Sequence, residues 1–398
     1  MIERTEMDQC LKRPCQVCES NSRVLMYRQV FGDISRVSFL KGYDVVVCRS
    51  CGFAFADNIP SQDAFDRYYE SQSKYDGNRT DPSRQEVMKN GLEFISQFVS
   101  DKDSRILEIG CGSGDFLRHL EHNGFSSLSA IEPSKHSVDL LLKETGINAM
   151  TGSFLKVGSS STHDLVILLT VLEHVVDLSR AIRSISNMLR QDGLLFIRVP
   201  DVCRFSDFED SPFQQFSPEH INYFSTITLS NLMGRNGYTL LKCEEISLHE
   251  TVTTVLPMIN LMFRKCDTDN ESYPLEMDNR VHPKLKKYIE LSAMRDVEVN
   301  GRIAELALSQ EPILVWGVGT HTLRLLELGP LKNCNIVAFF DSNTHYNGGL
   351  FNDIPVHSPE ELSRYPYKIL ISSKVFQDEI CSFIRNDLGA PNELVLLY

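Results

Sequence analysis

Four cysteines near the N-terminus have the type and spacing of metal ligands. Cys15 and Cys18 form one CxxC pair and Cys48 and Cys51 form a second, with 29 residues between the two pairs. Each pair can bend into a tight turn that points two thiolates at one point, and two such turns make a tetrahedral site of four sulfur atoms. Because four protein ligands leave no open position, the pattern predicts structural Zn²⁺. Two unrelated buried cysteine pairs and a redox CxxC are the alternatives.

A glycine-rich turn follows the first predicted strand of the middle of the chain. That strand covers residues 105–109 and contains Glu108, and Gly110, Gly112 and Gly114 then lead into a predicted helix. Glycine lets the backbone turn sharply and approach a ligand closely. The third glycine comes too early for the GxGxxG pattern of dinucleotide-binding proteins, so the loop does not match that class of site.

A Glu-His pair is the candidate for acid–base chemistry. Glu219 and His220 lie in a phenylalanine-rich insertion after the fifth predicted strand. Doubly wound sheets bind ligands at the carboxyl ends of their strands, and there a glutamate can hold a histidine base in one tautomer. The alternative is that the pair only caps and braces the insertion. His174 is similarly ambiguous, since it either touches the acceptor or only shapes the site.

Strands and helices alternate through the middle of the chain, which indicates a parallel, doubly wound α/β sheet. Ser134 is expected to cap a helix that runs to Lys143, and a later helix over 177–189 is expected to stop at the Asp192-Gly193 signal. The predicted strands cover residues 105–109, 128–131, 148–150, 164–169 and 194–199.

The last ninety residues repeat this alternation on a smaller scale, which predicts a second, Rossmann-like unit. A strand at 313–316 precedes Gly317 and Gly319, and the second strand ends in Asp341. Two glycines and a following acid could suggest a dinucleotide site, but Thr322 stands where the third glycine would be. A structural or substrate-supporting role is therefore favoured over nicotinamide binding.

Composition limits the partners of the protein. The 398 residues include 40 Lys and Arg against 53 Asp and Glu, so the net charge is −13 and nucleic acid is not expected. Eleven cysteines, a polar N-terminus without a secretory signal, and no apolar run of about 18 residues predict a reducing cytoplasm and no membrane span. The sequence suggests a zinc-binding module at 1–70, a core at 71–265, a linker and helix at 266–310 and the C-terminal unit at 311–398.

The middle segment resembles class I S-adenosylmethionine-dependent methyltransferases. The resemblance covers about residues 104–246 and includes the Glu108 to Gly114 motif, the Leu172-Glu-His174 segment and Gly237-Tyr238. It implies that Glu108 and the three glycines bind S-adenosylmethionine. It also implies that Glu132 accepts the ribose hydroxyls and that Ser153 and Phe154 contact the adenine.

The order of the modules resembles the three-part sugar C-methyltransferases of deoxysugar pathways. In that family a four-cysteine zinc module, matched here by Cys15, Cys18, Cys48 and Cys51, precedes the methyltransferase core and a C-terminal α/β domain. The resemblance implies a nucleotide-linked 4-keto sugar as acceptor, methylated at carbon through an enolate. It gives acid–base work to Glu219 and His220, and places His174 near the acceptor.

Two departures from the family leave other functions open. The family commonly has a tyrosine two places before the Glu-His pair, where this chain has Ser217. A second family tyrosine could be Tyr68, Tyr69 or Tyr75. O- or N-methylation of a sugar or another small molecule, an acceptor of fatty or polyketide type, and a catalytically inactive cofactor-binding scaffold therefore remain alternatives. The sequence does not determine the sugar, the stereochemistry or the oligomeric state.

Overall fold

Three β-sheets organise the part of the chain that the structure, a computed structural model, describes. That part comprises residues 12–31, 40–71, 82–156, 163–208, 211–249, 254–266, 273–343 and 346–398. Tyr75 lies outside these ranges. No helix within them is long and apolar enough to cross a membrane.

The N-terminal sheet is antiparallel and takes its last strand from far along the chain. Three strands come from the N-terminal segment, and the fourth is the two-residue strand Asn222–Tyr223, directly after the Glu-His pair. The Glu-His segment is therefore attached to the sheet that carries the second cysteine pair. The N-terminal elements are β1 (Arg23–Val30), β2 (Gly42–Cys48), β3 (Ala54–Asp57), α1 (Gln62–Ser71) and α2 (Pro82–Ile95).

The central sheet has seven strands in the order β10-β11-β8-β7-β4-β5-β6. The five from β8 to β6 are parallel, while β11 runs antiparallel to both its neighbours. The elements are β4 (Ile106–Ile109), α3 (Asp115–His122), β5 (Leu128–Glu132), α4 (Lys135–Glu144), β6 (Asn148–Thr151), β7 (His163–Leu169), α5 (Leu178–Met188), β8 (Leu189–Pro200), β9 (Asn222–Tyr223), α6 (Thr226–Arg235), β10 (Tyr238–His249) and β11 (Val255–Lys265). The predicted doubly wound sheet is confirmed, and the long β10–β11 hairpin extends it beyond the predicted strands.

Local sequence explains most of these elements. The Ser134 side chain accepts a hydrogen bond from the Ser137 backbone N–H and so caps α4 as expected. Helix α5 agrees with the expected helix over 177–189 to within one residue at each end. The Asp192-Gly193 signal is not what ends it, because β8 begins at Leu189, which pairs with His163. Asp192, with a φ of 59°, lies in a bulge of β8 and not in a helix-terminating turn.

The C-terminal sheet has six strands in the order β14-β15-β13-β12-β16-β17 and is parallel except for the β14–β15 pair. The predicted Rossmann-like unit is therefore confirmed. The segment Pro359–Arg364 forms a 3₁₀ helix. The elements are α7 (Val281–Ser309), β12 (Pro312–Trp316), α8 (Thr320–Leu328), β13 (Asn335–Phe340), β14 (Leu350–Phe351), β15 (Ile354–His357), β16 (Lys368–Ile371), α9 (Gln377–Ser382) and β17 (Leu394–Leu396).

Two hydrophobic cores join the sheets to one another. One contains the buried cysteines of the N-terminal module, Phe53 and Phe55 of that module, and the central-sheet face covered by α5 and α6. The other runs from the N-terminal sheet through the phenylalanine-rich insertion and α7 to the C-terminal sheet. The insertion is therefore packed between sheets, which fixes the backbone from which Glu219 and His220 extend.

Candidate active site

The glycine loop bends back on itself at the carboxyl end of β4. Gly110, Gly112 and Gly114 have φ values of 72°, 52° and 77°, a region that favours glycine. A Cβ at Gly114 would lie 2.5 Å from the Leu141 side chain, and one at Gly110 would lie 2.8 Å from the Val171 side chain. Glycine is thus required both by the backbone conformation and by close packing.

Glu132 lies at the end of β5, and its side chain reaches the glycine loop. One carboxylate oxygen accepts the Gly112 backbone N–H at 3.0 Å, and the other accepts the Ser134 N–H at 2.9 Å. Burial raises the pKa of this carboxyl, and the two N–H donors partly offset the rise. Because each carboxylate oxygen can accept more than one hydrogen bond, Glu132 can still bind two ligand hydroxyls.

Glu108, on β4, is a second buried acid beside the loop. Burial and the nearby Glu132 charge raise the pKa of its carboxyl to about 8. Its Oε2 is buried and has no hydrogen-bond partner among the described residues. An uncompensated buried carboxylate is costly, so this position favours a cationic or hydrogen-bond-donating ligand.

A cleft of about 740 Å³ opens above the loop. The predicted residues Gly110, Glu132, Ser153, Phe154 and His174 line it together. Helix α1 contributes Gln62, Asp66 and Tyr69 from one face. Tyr69 was a candidate from the sequence, whereas Gln62 and Asp66 were missed although the i, i+4, i+7 spacing of the three in an amphipathic helix was visible. The lining is Gln62, Asp66, Tyr69, Ile109, Gly110, Ile131, Glu132, Pro133, Gly152, Ser153, Phe154, Leu155, Thr170, Val171, His174 and Val175.

His174 occupies the end of a 3₁₀ turn at Leu172–His174 and faces the cleft. Its Nδ1 lies 2.9 Å from the Tyr69 hydroxyl and 3.1 Å from the Glu219 carbonyl oxygen. Because a carbonyl oxygen can only accept, the second contact favours a proton on Nδ1.

The predicted Glu-His pair lies against His174. The His174 and His220 rings are 4.8 Å apart between centroids and nearly perpendicular. The Tyr68 hydroxyl donates to Glu219 Oε1 at 2.7 Å. Of the three candidate tyrosines, Tyr68 and Tyr69 therefore both contact predicted catalytic residues, and their adjacent positions on α1 explain why spacing alone could not choose between them.

Ser217 and Tyr43 shape the backbone turn that carries the pair. The Ser217 hydroxyl accepts the backbone N–H groups of Glu219 and His220 at 3.3 and 3.1 Å. The Tyr43 hydroxyl lies 2.8 Å from the Ser217 carbonyl oxygen and 2.9 Å from the Tyr223 hydroxyl. The serine that departs from the sugar C-methyltransferase pattern thus closes this turn, in the manner of other Ser and Thr turns.

The four predicted zinc ligands come together in the N-terminal module. The sulfur atoms of Cys15 and Cys51 are 3.6 Å apart, those of Cys18 and Cys48 are 3.4 Å apart, and all four lie within 4.8 Å of one another. A zinc–sulfur bond of about 2.3 Å implies sulfur atoms about 3.8 Å apart in a tetrahedron. The spacing of the sulfur atoms fits a tetrahedral metal.

Arg13 connects the cysteine cluster to the Glu-His segment. Its guanidinium is buried and donates to the Ala56 carbonyl in β3, the Val176 carbonyl and the Ile221 carbonyl. Cys15 lies two residues away along the chain, and His220 directly precedes Ile221. Sequence reasoning missed this arginine, because nothing in its local pattern marks a buried charge.

Comparison with protein families assigns two parts of the chain. Residues 81–242 match the family model described as a methyltransferase domain. The central sheet is the core of a class I methyltransferase domain. Residues 309–396 match a family described as C2185-like, N-terminal. The matched region contains the glycine loop, Glu132, His174, Glu219 and His220.

Curated relatives resemble mainly the methyltransferase domain. An uncharacterized methyltransferase from Staphylococcus carnosus is 27% identical over 28% of this chain and 55% of its own length. A ubiquinone biosynthesis O-methyltransferase from Methylocella silvestris is 31% identical over 23% of this chain and 38% of its own length. The C-methyltransferase NovU from Streptomyces niveus is 23% identical over 52% of this chain and 49% of its own length. The chain spans about half the length of the curated relatives it matches.

Solved structures overlap with about half of the chain. The [4+2]-cyclase SpnF is 14% identical with a TM-score of 0.39, covering 48% of this chain and 85% of that protein. The N-methyltransferase NodS from Bradyrhizobium japonicum, in complex with S-adenosyl-L-homocysteine, is 17% identical with a TM-score of 0.38, covering 51% and 97%. Structural similarity at this level does not identify the molecule that accepts the methyl group.

Proposed function

We propose that the protein transfers a methyl group from S-adenosylmethionine to carbon 3 of a nucleotide-linked 4-keto deoxysugar. One observation carries the proposal: His174 lines the cleft together with Gly110 and Glu132, and it contacts the Glu219 carbonyl oxygen and the His220 ring. The similarity to the C-methyltransferase NovU, which spans about half of this chain, supports carbon as the methylated atom.

The cleft suits the adenosyl part of the cofactor. Glu132 would accept the ribose hydroxyls, and Ser153 and Phe154 would contact the adenine at the end of β6. The buried Glu108 carboxyl and the tight Gly110–Gly114 turn would bind the cationic amino acid part. When bound, the cofactor supplies an electrophilic sulfonium methyl group that needs no metal for activation.

The acid–base residues would handle one proton. A ketone at carbon 4 acidifies the proton on carbon 3, and His220 would remove it with one nitrogen of its neutral ring. The electron pair left on carbon 3 would delocalise to the ketone oxygen as an enolate and then form the new bond to the methyl carbon, while the bond between that carbon and sulfur breaks and its electron pair leaves with S-adenosylhomocysteine. The tyrosines Tyr68 and Tyr69, through Glu219 and His174, orient the polar groups around this proton transfer.

A His220→Ala variant tests the base. We expect turnover with a 4-keto sugar nucleotide to fall about 1000-fold while affinity for S-adenosylhomocysteine, measured by calorimetry, stays unchanged. His136→Ala, a histidine on α4 away from the cleft, is the matched control. Wild-type protein should also exchange the carbon 3 proton for solvent deuterium, and the variant should not. Unchanged turnover in the variant would show that His220 is not the base.

O-methylation is the second candidate, favoured by the similarity to a ubiquinone biosynthesis O-methyltransferase over 98 residues. An O-methyl transfer needs no carbanion, because the acceptor hydroxyl supplies the nucleophile. Deuterium exchange at carbon without methylation therefore distinguishes the two reactions. Product mass and NMR, read across a panel of keto sugar nucleotides, would then identify the methylated atom.

We further propose that Cys15, Cys18, Cys48 and Cys51 bind structural Zn²⁺. The spacing of the four sulfur atoms supports the assignment. Cys48→Ser should remove one equivalent of zinc by elemental analysis and lower the melting temperature, whereas Cys266→Ser, at a partly exposed cysteine outside the cluster, should do neither. Full zinc content in Cys48→Ser would contradict this ligand set.

A further inference from the structure

A buried glutamate lies beside the proposed base and has no partner. Glu173 is 1% exposed, and neither of its carboxylate oxygens has a hydrogen-bond partner within the described ranges. It is the middle residue of the 3₁₀ turn that ends in His174. A buried polar group without a partner is rare in folded proteins and calls for a functional explanation.

The backbone holds Glu173 and the Glu-His segment together. The Ile221 N–H, directly after His220, donates to the Glu173 carbonyl oxygen at 2.8 Å. The Asn222 side-chain amide donates to the Leu172 and Val175 carbonyls on either side of the same turn. These bonds fix the distance between the Glu173 and His220 side chains.

The side chains meet as well as the backbones. A carboxylate oxygen of Glu173, a ring nitrogen of His174 and a ring nitrogen of His220 all lie within 4.8 Å of one another. An opposite charge within about 4–6 Å favours the charged form of a titrating group. A carboxylate here would therefore stabilise an imidazolium at position 220.

We propose that Glu173 is the positioning residue for His220, supplying the negative charge that balances the imidazolium formed when His220 takes the proton from the acceptor. The proposal rests on the proposed function only in taking His220 as the base. It moves the charge-balancing role from Glu219, whose carboxylate accepts a hydrogen bond from Tyr68, to the buried glutamate. No atom is transferred to Glu173; the proton stays on the His220 ring until it leaves to solvent.

Burial makes an unpaired carboxylate costly in this place and so favours a cation beside it. Burial is the main cause that raises the pKa of the Glu173 carboxyl to about 8, and its own backbone N–H offsets the rise only in part. A cation forming next to it removes that cost, so the charge pair strengthens at the moment of proton transfer. The other titratable or charged groups on the elements packed around the pair are His174, Glu219, Tyr68, Tyr69, Tyr43 and Arg13.

The test measures the titration of His220 directly. Protein labelled with ¹⁵N-histidine is titrated by NMR without cofactor or acceptor, and the His220 signal is assigned by its loss in His220→Gln. In Glu173→Gln, which keeps size and removes charge, we expect the pKa of His220 to be lower than in the wild type. Glu379→Gln, a glutamate of α9 in the C-terminal unit, is the matched control and should leave it unchanged. An unchanged His220 titration in Glu173→Gln would overturn the proposal.

Activity gives a second reading. Glu173→Gln should lower kcat about 100-fold while leaving the affinity for S-adenosylhomocysteine unchanged, and Glu173→Asp, which keeps the charge, should recover part of the loss. If Glu173→Gln does not fold, the Glu173 carboxyl can be titrated in wild type and in His220→Gln, where loss of the imidazolium should raise its pKa. An equal pKa in both proteins would overturn the proposal.

A metal ion is the competing explanation for the same three side chains. Two imidazoles and a carboxylate can bind Zn²⁺ or Mn²⁺. Binding of one equivalent of Zn²⁺ or Mn²⁺ beyond the cysteine cluster, lost in Glu173→Gln, would overturn the positioning role. These readouts also separate this proposal from the proposed function, because the histidine titration needs no acceptor. Failure to methylate any sugar nucleotide would contradict the proposed function and leave the positioning role of Glu173 standing.

Discussion

The central and C-terminal sheets each begin with a strand, a glycine-containing turn and a helix, and each has an acid at or just after the end of the next strand. In the central sheet, Glu132 accepts the Gly112 backbone N–H at 3.0 Å. In the C-terminal sheet, Asp341 accepts the Val318 backbone N–H at 2.9 Å. The turn and the acid are therefore bonded to each other in the same way in both places.

The space beside the two turns differs. In the C-terminal turn, Thr322 fills the position that a third glycine would leave open. Its hydroxyl donates to the Gly317 carbonyl and lies 2.6 Å from the Ser372 hydroxyl. A Cβ at Gly317 would already lie 2.9 Å from that Ser372 hydroxyl. In the central turn, the corresponding space opens into the cleft. The comparison teaches that side chains beside the turn, more than the turn and acid, determine whether a ligand can approach.

The largest expected effect comes from replacing one glycine of each turn with alanine, which adds a single methyl group. Gly114→Ala combines a φ of 77° with a clash against Leu141, which costs about 3 kcal/mol. We expect this strain to distort the glycine loop, so that affinity for S-adenosylhomocysteine, measured by calorimetry, falls about 100-fold.

Gly319→Ala is the matched control, because nothing lies within 4 Å of its Cβ position and its φ is −78°. It should leave both affinity and melting temperature near the wild-type values. Wild-type affinity in Gly114→Ala would show that the central loop does not bind the cofactor.

The two acids offer the next test, because the same covalent change can be made in each sheet. Glu132→Gln replaces one carboxylate oxygen with an amide nitrogen beside two backbone N–H donors. Loss of charge-assisted hydrogen bonds to the ribose should weaken S-adenosylhomocysteine binding by about 10- to 100-fold. Asp341→Asn should lower the stability of the C-terminal unit and leave that binding unchanged. Equal effects of both variants on binding would place the C-terminal unit at the cofactor site.

Sequence predicted the parts of this comparison that depend on local pattern. The glycines after β4, the capping serine at 134 and the acid at 132 are set by turn and helix chemistry within a few residues. The contacts of Glu173 and Arg13 were not predicted, because they arise when β9 joins the N-terminal sheet across more than 160 residues. The end of α5 near residue 189 was predicted but its cause was not, because Leu189 pairs with His163 before the chain reaches Asp192-Gly193. The four-part division of the chain stays a prediction.

Buried titratable groups should make the two sheets respond to pH in opposite directions. Burial raises the pKa of Glu108 to about 8, so the stability associated with its neutral form is full below about pH 4.5 and is lost as pH rises through 8. Burial lowers the pKa of His321 to about 3, so the stability associated with its neutral ring is full above about pH 6.5 and is lost as pH falls toward 3.

The sole tryptophan makes this prediction measurable by region. Trp316 lies in β12, so its fluorescence reports unfolding of the C-terminal unit, while circular dichroism reports the whole chain. Glu108→Gln should reduce the alkaline loss by about 1–2 kcal/mol in circular dichroism only. His321→Asn should reduce the acid loss seen by Trp316. Identical pH profiles in each variant and the wild type would contradict these assignments.

The smallest expected effect comes from opening the C-terminal turn itself. Thr322→Ala removes the hydrogen bond to the Gly317 carbonyl and the contact with Ser372, and should cost about 1 kcal/mol in urea unfolding followed by Trp316 fluorescence. Thr322→Ser keeps the hydroxyl and should recover most of that stability. Neither variant should bind NADH, because the Ser372 hydroxyl would still crowd Gly317 and Asp341 would still be occupied by the Val318 N–H. Saturable NADH binding by Thr322→Ala but not by the wild type would show that the Thr322 side chain alone excludes the ligand from this turn. Binding by the wild type would show that Thr322 does not block the turn.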